Sequence, residues 1–428
     1  MDWLLFGIFV ALMVCGVPLG IALGLAGTAI IALAGLGIMS VPTSVYTGIA
    51  KYPLLAIPVF VLAGLIFERA GVARAMVNFA ASMVGRRRGS LAITAVLVCM
   101  ILDGISGSGP ADSAAVAAIM LPAMAKAGYP PPYSASLIAA GGATDILIPP
   151  SIAFIIYSLL VPQATVPALF AAGIVPGILA GLTLIVVGVW LAHRHGFGAH
   201  DASEPVPPVW RSFKEALWGL AAPVIILGGM RSGWFTPTEA AVVAAFYGFF
   251  VGVVVYRSLT WKQIFDVLAE AAEIAAVILL VVALASVFAW ASSTLGTFDR
   301  MAQAMIGAGA SEIAVLLGMT VLLLVAGMFL DAISIYFIFL PLLMPIALHY
   351  NWNLVWFGVV ITMNLAIGQF TPPMAVNLMV TCRIARIPIE STLPWVVWFV
   401  LGMTGTLLAV TFVPEISLWL PRALGYLN

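Results

Sequence analysis

The chain reads Leu102-Asp103-Gly104-Ile105-Ser106-Gly107-Ser108 in its first half and Leu330-Asp331-Ala332-Ile333-Ser334 in its second half. In both halves a proline precedes a Pro-Pro pair by 27 residues: Pro122 before Pro149, and Pro345 before Pro372. These breaks interrupt otherwise apolar sequence. Paired broken segments in the two halves of a membrane chain are the best sequence indication of a transporter's binding site.

Composition places the chain in a lipid bilayer. The 428 residues are 63% hydrophobic and 8% charged, with a mean hydropathy of +1.17, whereas soluble domains are about half apolar and a quarter charged. The apolar runs could supply on the order of ten crossings at roughly 20 residues each. The formal net charge of +0 gives no basic surface for nucleic acid, so no nucleic-acid partner is expected.

The pattern predicts an all-α polytopic membrane protein built from two inverted repeats. Each repeat is expected to contain an arm helix, a re-entrant helical hairpin and a broken transmembrane helix. The hairpins are predicted at about residues 90–126 and 312–350, and the broken helices at 133–160 and 353–382. Residues 1–192 form the predicted first half and 216–428 the second, joined by a polar cytoplasmic linker at 193–215.

Lysine and arginine positions predict the orientation. The first arm carries the richest cluster: Arg69, Arg74, Arg86, Arg87 and Arg88. A topology with both termini outside and further spans at about 3–22, 24–40 and 52–68 places this cluster and four others in the cytoplasm, as the positive-inside rule requires. The second arm carries only Arg300, which suits an arm on the opposite side.

The broken segments carry the predicted chemistry. Backbone in hydrocarbon must satisfy its own hydrogen bonds, so Gly104–Pro110 must be buried in protein or line a cavity. Freed carbonyls and serine hydroxyls form a hard-oxygen site that suits a small cation such as sodium, and exposed amides at a helix start suit an anion. The runs Gly141–Asp145 and Gly368–Pro373 break the following helices, which predicts two similar oxygen-rich clusters.

Four acids in apolar surroundings and one amide need separate interpretation. For Asp103 and Asp331, which occupy equivalent positions in the quoted stretches, we favour capping of the hairpin half-helices. Asp112 and Asp145 could ligand a cation, relay protons or cap a half-helix, and Asn377 could reach the site or bond across helices. Outside the breaks, Thr236 with Glu239 predicts a capped helix start.

At these residues the chain resembles the large membrane subunit of the tripartite ATP-independent periplasmic (TRAP) transporters, the DctM-like permeases. The resemblance rests on Gly104–Asp112, Gly141–Ser151 and Gly368–Pro373 and covers essentially the whole chain. Asp145 departs from the family pattern, which has a small residue such as Gly there. The resemblance implies a bacterial inner-membrane location and a sodium-coupled elevator, in which a domain holding both hairpins slides against a scaffold.

The resemblance also implies partners and sites. The partners are a small membrane subunit of about four helices and a periplasmic solute-binding protein that delivers an organic acid. The transported Na⁺ is the coupling ion, with no organic cofactor. One sodium site would be formed by the first tip and the first break, with the residues Ser106, Gly107, Ser108, Gly142 and Thr144. The other would be formed by the second tip and the second break, with Asp331, Ser334, Gly368 and Thr371. Between the tips, the candidate substrate-binding residues are Ser106, Ser108, Asp145, Ser334 and Asn377.

Other functions remain as alternatives. The main one is a self-sufficient ion-coupled elevator carrier of the citrate- or arsenite-permease type, which needs no binding protein. An intramembrane hydrolase using Ser106 or Ser108 would need a base, and the broken segments contain no histidine, so we expect no enzyme. A passive structural subunit is disfavoured because carboxylates in broken membrane helices are costly without a function.

Overall fold

The computed structural model describes residues 2–85, 87–198, 208–307 and 311–427. Within these ranges the chain is helical and contains no strand. The helices before residue 200 are α1 (Asp2–Val14), α2 (Leu19–Leu33), α3 (Ser40–Ile49), α4 (Ala56–Arg69), α5 (Val72–Val84), α6 (Ser90–Ser106), α7 (Gly109–Lys126), α8 (Pro131–Gly141), α9 (Ile152–Leu160) and α10 (Val166–His195).

The remaining helices form the second half of the chain. They are α11 (Val209–Arg231), α12 (Pro237–Phe250), α13 (Trp261–Thr294), α14 (Thr297–Gly307), α15 (Glu312–Gly327), α16 (Ala332–His349), α17 (Leu354–Gly368), α18 (Val376–Ala385), α19 (Leu393–Phe412) and α20 (Glu415–Ala423). Seven helical segments of the described part are long and apolar enough to cross a membrane. The predicted all-α membrane fold is therefore confirmed.

The predicted hairpins and broken helices have the expected bounds. Helices α6 and α7 fill residues 90–126 and pack against each other, and α15 and α16 fill 312–349. Helix α8 ends at Gly141 before α9 begins at Ile152, and α17 ends at Gly368 before α18 begins at Val376. Both breaks contain a cis Pro-Pro bond, Pro149-Pro150 and Pro372-Pro373.

Some predicted boundaries at the N-terminus and linker differ from the structure. The first apolar run does not continue to residue 22, because α1 ends at Val14 and Gly16 adopts a positive φ of 81° before Pro18. The predicted 24–40 span is also too long, because α2 ends at Leu33 and the short helix α3 begins only at Ser40. Helices α10 and α11 extend into the predicted linker, while Arg86 and residues 199–207 lie outside the described residues.

The seven helices α4–α10 recur in order as α13–α19, with a shift of 223 residues. This shift relates the helix ends Lys126 and His349, and also the residues that precede the second hairpin helices, Ser108 and Asp331. Pro122 and Pro149 are related to Pro345 and Pro372 by the same shift. Asp103 and Asp331 are 228 residues apart, so the prediction that they are equivalent is wrong.

The helices outside the breaks form a framework around α13. Helices α2, α3 and α4 each pack on α13, and α12 packs on α4. The fit along α2 is close, since a Cβ on Gly27 would lie 2.9 Å from the main-chain nitrogen of Phe288. The framework contacts the first hairpin through Gly64 of α4, where a Cβ would lie 2.7 Å from the carbonyl oxygen of Ser106.

Candidate functional site

The tip of the first hairpin touches the break between α8 and α9. Gly107 joins α6 to α7 with a φ of 62°, a conformation that glycine adopts without strain. A Cβ at Gly107 would lie 2.6 Å from the carbonyl oxygen of Pro150, and one at Gly109 would lie 2.5 Å from the carbonyl oxygen of Gly142. Glycines at the tip thus let two pieces of backbone meet inside the protein.

Three buried aspartates surround this contact, and each accepts a hydrogen bond from the tip or the break. Thr144 Oγ1 donates to Asp103 Oδ2 at 2.6 Å, and Ser106 Oγ donates to Asp112 Oδ2. The main-chain nitrogen of Gly109 donates to Asp145 Oδ2 at 2.6 Å. Asp103 therefore ties α6 to the break rather than capping the hairpin, so the capping prediction is wrong for Asp103.

Several oxygens of this cluster have no hydrogen-bond partner within the protein. They are Asp103 Oδ1, Asp145 Oδ1 and Ser113 Oγ, and their residues are 0%, 2% and 0% exposed. Ser113 lies against the break, since its hydroxyl occupies the place that a Cβ on Gly142 would need. Buried polar atoms without partners are costly, so the cluster has hard-oxygen ligands to offer a small cation.

The tip of the second hairpin has different chemistry. Asp331 caps α16, accepting hydrogen bonds from the main-chain nitrogens of Ile333 and Ser334 at 3.0 and 3.3 Å and from Ser334 Oγ at 2.6 Å. The capping prediction is confirmed for Asp331. A Cβ on Gly368 would lie 2.5 Å from the carbonyl oxygen of Gly327, so this tip also meets its break through glycine.

The two clusters are not similar in composition. Under the shift of 223 residues the polar residues of the first cluster correspond to apolar residues, a tyrosine or glycine in the second. The pairs are Asp103 with Ala326, Ser106 with Phe329, Asp112 with Ile335, Ser113 with Tyr336, Thr144 with Ile367 and Asp145 with Gly368. The three acids thus belong to the first half alone, contrary to the prediction of similar clusters.

A cavity of about 640 Å³ lies between the two tips and the framework. Its floor includes Ser108, Asp145, Asp331 and Gly368, and α4 and α13 form the opposite wall. Most of the lining is apolar, as is usual in small-molecule sites. The cavity joins the two halves in one site.

The predicted residues divide between the cavity surface and the layer behind it. Of the substrate-binding candidates, Ser108 and Asp145 line the cavity, whereas Ser106, Ser334 and Asn377 do not. Four of the sodium candidates line the cavity: Gly107, Ser108, Asp331 and Gly368. The other five do not: Ser106, Gly142, Thr144, Ser334 and Thr371.

Asn377 bonds across the second break. Its Nδ2 donates to Gln369 Oε1 at 3.0 Å, and its main-chain nitrogen donates to the carbonyl oxygen of Gln369 at 3.0 Å. The same Nδ2 lies 3.5 Å from the carbonyl oxygen of Ala139 on α8. Of the two interpretations left open by the sequence, the structure shows the bond across helices.

Sequence reasoning missed the framework side of the cavity. Glu68 at the end of α4 and Glu270 on α13 line it, together with Gln369 of the second break. Arg69 Nη2 donates to Glu270 Oε2 at 2.8 Å and joins α4 to α13. Little in the sequence signals Glu270, because Asp266 and Glu273 lie one turn away in the same polar start of a 34-residue helix.

The sequence matches a known protein family over nearly the whole chain. Residues 6–416 match the family described as "Tripartite ATP-independent periplasmic transporter, DctM component". The chain belongs to this family. It is therefore a TRAP permease and not an enzyme, and it is a multi-pass protein of the inner membrane.

Relatives of the TRAP permease span nearly its whole length. It is 39% identical over 97% of its residues to the isethionate TRAP transporter permease protein DctMQ of Oleidesulfovibrio alaskensis, of which it spans 65%. It is 36% identical to the C4-dicarboxylate TRAP transporter large permease protein DctM of Rhodobacter capsulatus, with 99% of each chain covered. It is also 36% identical to the 2,3-diketo-L-gulonate TRAP transporter large permease protein YiaN of Escherichia coli, with 94% of each covered.

Two solved transporters share the fold at low sequence identity. The YdaH transporter of Alcanivorax borkumensis superposes with a TM-score of 0.56 at 16% identity, covering 89% of this chain and 90% of the other. MtrF of Neisseria gonorrhoeae superposes with a TM-score of 0.58 at 12% identity, covering 89% and 86%. The helix arrangement of the TRAP permease is thus one found in other membrane transporters.

Proposed function

We propose that this chain is the large permease subunit of a TRAP transporter for sodium-coupled uptake of an organic acid. The observation that carries the proposal is the 640 Å³ cavity between two hairpin tips, lined by Ser108 and Asp145 from one half and Asp331 and Gly368 from the other. The relatives are named for isethionate, C4-dicarboxylates and 2,3-diketo-L-gulonate, which supports an acid as the solute.

The coupling ion is sodium in this proposal. Behind the first tip, unpartnered Asp103 Oδ1 and Ser113 Oγ supply the hard oxygens that a small cation prefers. The second site has fewer polar side chains and would rely on Asp331, Ser334, Thr371 and carbonyls of the Gly327–Gly368 contact. Binding at the first site neutralises buried negative charge.

Movement is by an elevator in this proposal. The two hairpins and broken helices contact each other closely, as α18 packs on both α7 and α8. The framework around α13 meets the first tip through Gly64, which has no side chain to obstruct sliding. The two repeats would be inverted in the membrane, with both termini in the periplasm.

Two partners complete the proposed transporter. A small membrane subunit would hold the framework helices, and a periplasmic solute-binding protein would deliver the acid. The tripartite description of the family supports both. The small subunit is expected to have about four helices.

The test is uptake into proteoliposomes that hold this chain and its small subunit, with and without an inward sodium gradient and the binding protein. Uptake that requires both the gradient and the binding protein is expected. Uptake without the binding protein would instead indicate a self-sufficient carrier, and dependence on a proton gradient alone would contradict the sodium assignment.

A further inference from the structure

The cavity has an unusual charge for a site that receives an anion. Four carboxylates are among its lining residues: Glu68, Asp145, Glu270 and Asp331. No lysine, arginine or histidine of the described residues lines it. Arg69, which does not line the cavity, pairs with Glu270 at 2.8 Å and is a single positive charge beside four acidic side chains.

The helix starts that would attract an anion are already occupied. Helices α7 and α16 both begin at the cavity, and a helix N-terminus favours negative charge. Asp145 Oδ2 accepts the hydrogen bond from the main-chain nitrogen of Gly109 at 2.6 Å. Asp331 accepts those of Ile333 and Ser334 at 3.0 and 3.3 Å. Each helix start thus binds a carboxylate of the chain itself.

Asp145, which lines the cavity, also has one carboxyl oxygen without a hydrogen-bond partner. The residue is 2% exposed and lines the cavity, and its Oδ1 has no hydrogen-bond partner within the protein. The equivalent residue of the second half is Gly368, which has no side chain. The carboxyl group is therefore an addition to the repeated architecture, and it places one more acidic side chain between the tips.

We infer that the transported acid carries a cationic ammonium group, which binds between Asp145 of the first break and Glu68 of α4. The inference rests on the proposed transport function and narrows its substrate class to zwitterionic amino acids in the broad chemical sense. An ammonium group supplies three donors and one positive charge. A plain dicarboxylate would add two negative charges to this wall.

The test compares pairs of acids that differ in one amine. The full chain, purified in sodium buffer with its small subunit and without a binding protein, is heated with aspartate or succinate, and with taurine or isethionate. The amine-bearing member of at least one pair is expected to raise the apparent unfolding temperature more than its partner. Equal or greater stabilisation by succinate and isethionate, or no shift with any of the four, would overturn the inference.

Variants test whether the preference for the amine-bearing acid arises in the cavity. Asp145→Asn and Glu68→Gln are each expected to abolish the difference within the pair, whereas Asp266→Asn, on an exposed face of α13 one turn from Glu270, should preserve it. Two cavity variants are used because one could fail to fold. A preference that survives in both would contradict the proposed position of the ammonium group.

This result is distinguishable from failure of the transport proposal. Sodium-dependent uptake of an acid that has no amine, delivered by its binding protein, would overturn the ammonium inference and leave the transport function intact. If no acid is taken up in a way that depends on the binding protein, the proposed transport function is wrong, whatever the result of the ammonium test.

Discussion

Gly327 and Gly368 bring the second hairpin and the second broken helix into direct main-chain contact. A Cβ on Gly368 would lie 2.5 Å from the carbonyl oxygen of Gly327, and one on Gly327 would lie 3.3 Å from the Cα of Gly368. Gly368 has no room for a side chain, and a methyl group on Gly327 would make a tight contact. The contact between this hairpin and its break thus depends on the absence of a methyl group at Gly368.

Gly368→Ala is expected to separate the tip from the break. The added methyl group contacts main chain, which cannot rotate away, and overpacking of this kind costs about 1–3 kcal/mol. We expect a lower apparent unfolding temperature of the purified protein and loss of uptake. Gly318→Ala is the matched control, because Gly318 lies on α15 of the same hairpin and a Cβ there would have no neighbouring atom within 4 Å. Equal effects of the two variants would contradict the contact.

Thr144→Val is expected to destabilise the first cluster. The change keeps the shape of the side chain but removes the 2.6 Å hydrogen bond to Asp103, so the carboxylate loses its donor at a cost of about 1–3 kcal/mol. The unfolding temperature should fall and more sodium should be needed to restore it, while Thr144→Ser should resemble the wild type.

Thr320→Val is the control for that experiment. Thr320 is also buried, but its hydroxyl donates only to the carbonyl oxygen of Leu316 on its own helix. We expect it to leave the sodium dependence unchanged. If Thr320→Val and Thr144→Val shift the sodium dependence alike, the bond between Thr144 and Asp103 has no special role.

Asn377→Ala should affect stability more than substrate affinity. Asn377 is fully buried outside the cavity and bonds to Gln369 at 3.0 Å across the second break. Its loss removes two hydrogen bonds that hold α18 in place, so the unfolding temperature should fall while the apparent KM for uptake stays unchanged. Ser108→Ala, on the cavity surface, is expected to show the reverse. A raised KM in Asn377→Ala with normal stability would indicate direct substrate contact.

The re-entrant orientation of the second hairpin can be tested by cysteine labelling. Cys15, Cys99 and Cys382 are free and would first be replaced by serine or alanine. Ser311→Cys and Asn351→Cys flank the hairpin, and both are expected to react with a membrane-impermeant maleimide added outside the cell. Ser391→Cys is expected to react only after the membrane is permeabilised. Labelling of Ser311→Cys and Asn351→Cys from opposite sides would show that the hairpin crosses the membrane.

The sequence by itself determined the helical framework of this protein. The bounds of both hairpins followed from glycine and proline positions, because these residues interrupt helices through local geometry that needs no tertiary information. The helix cap formed by Thr236 and Glu239 was also predictable from local sequence, and the structure contains that capping box. The resemblance to the TRAP permease family was recognised from the helix breaks that glycine and proline create.

Only the tertiary structure decided which residues share the site. The sequence pairs Asp103 with Asp331 through similar neighbours, but packing places Ser108 and Asp331 in equivalent positions and turns Asp103 toward Thr144. It also brings Glu68 and Glu270 to a cavity formed by residues more than 200 positions apart. Such long-range contacts depend on how helices pack in three dimensions, which local residue patterns do not encode.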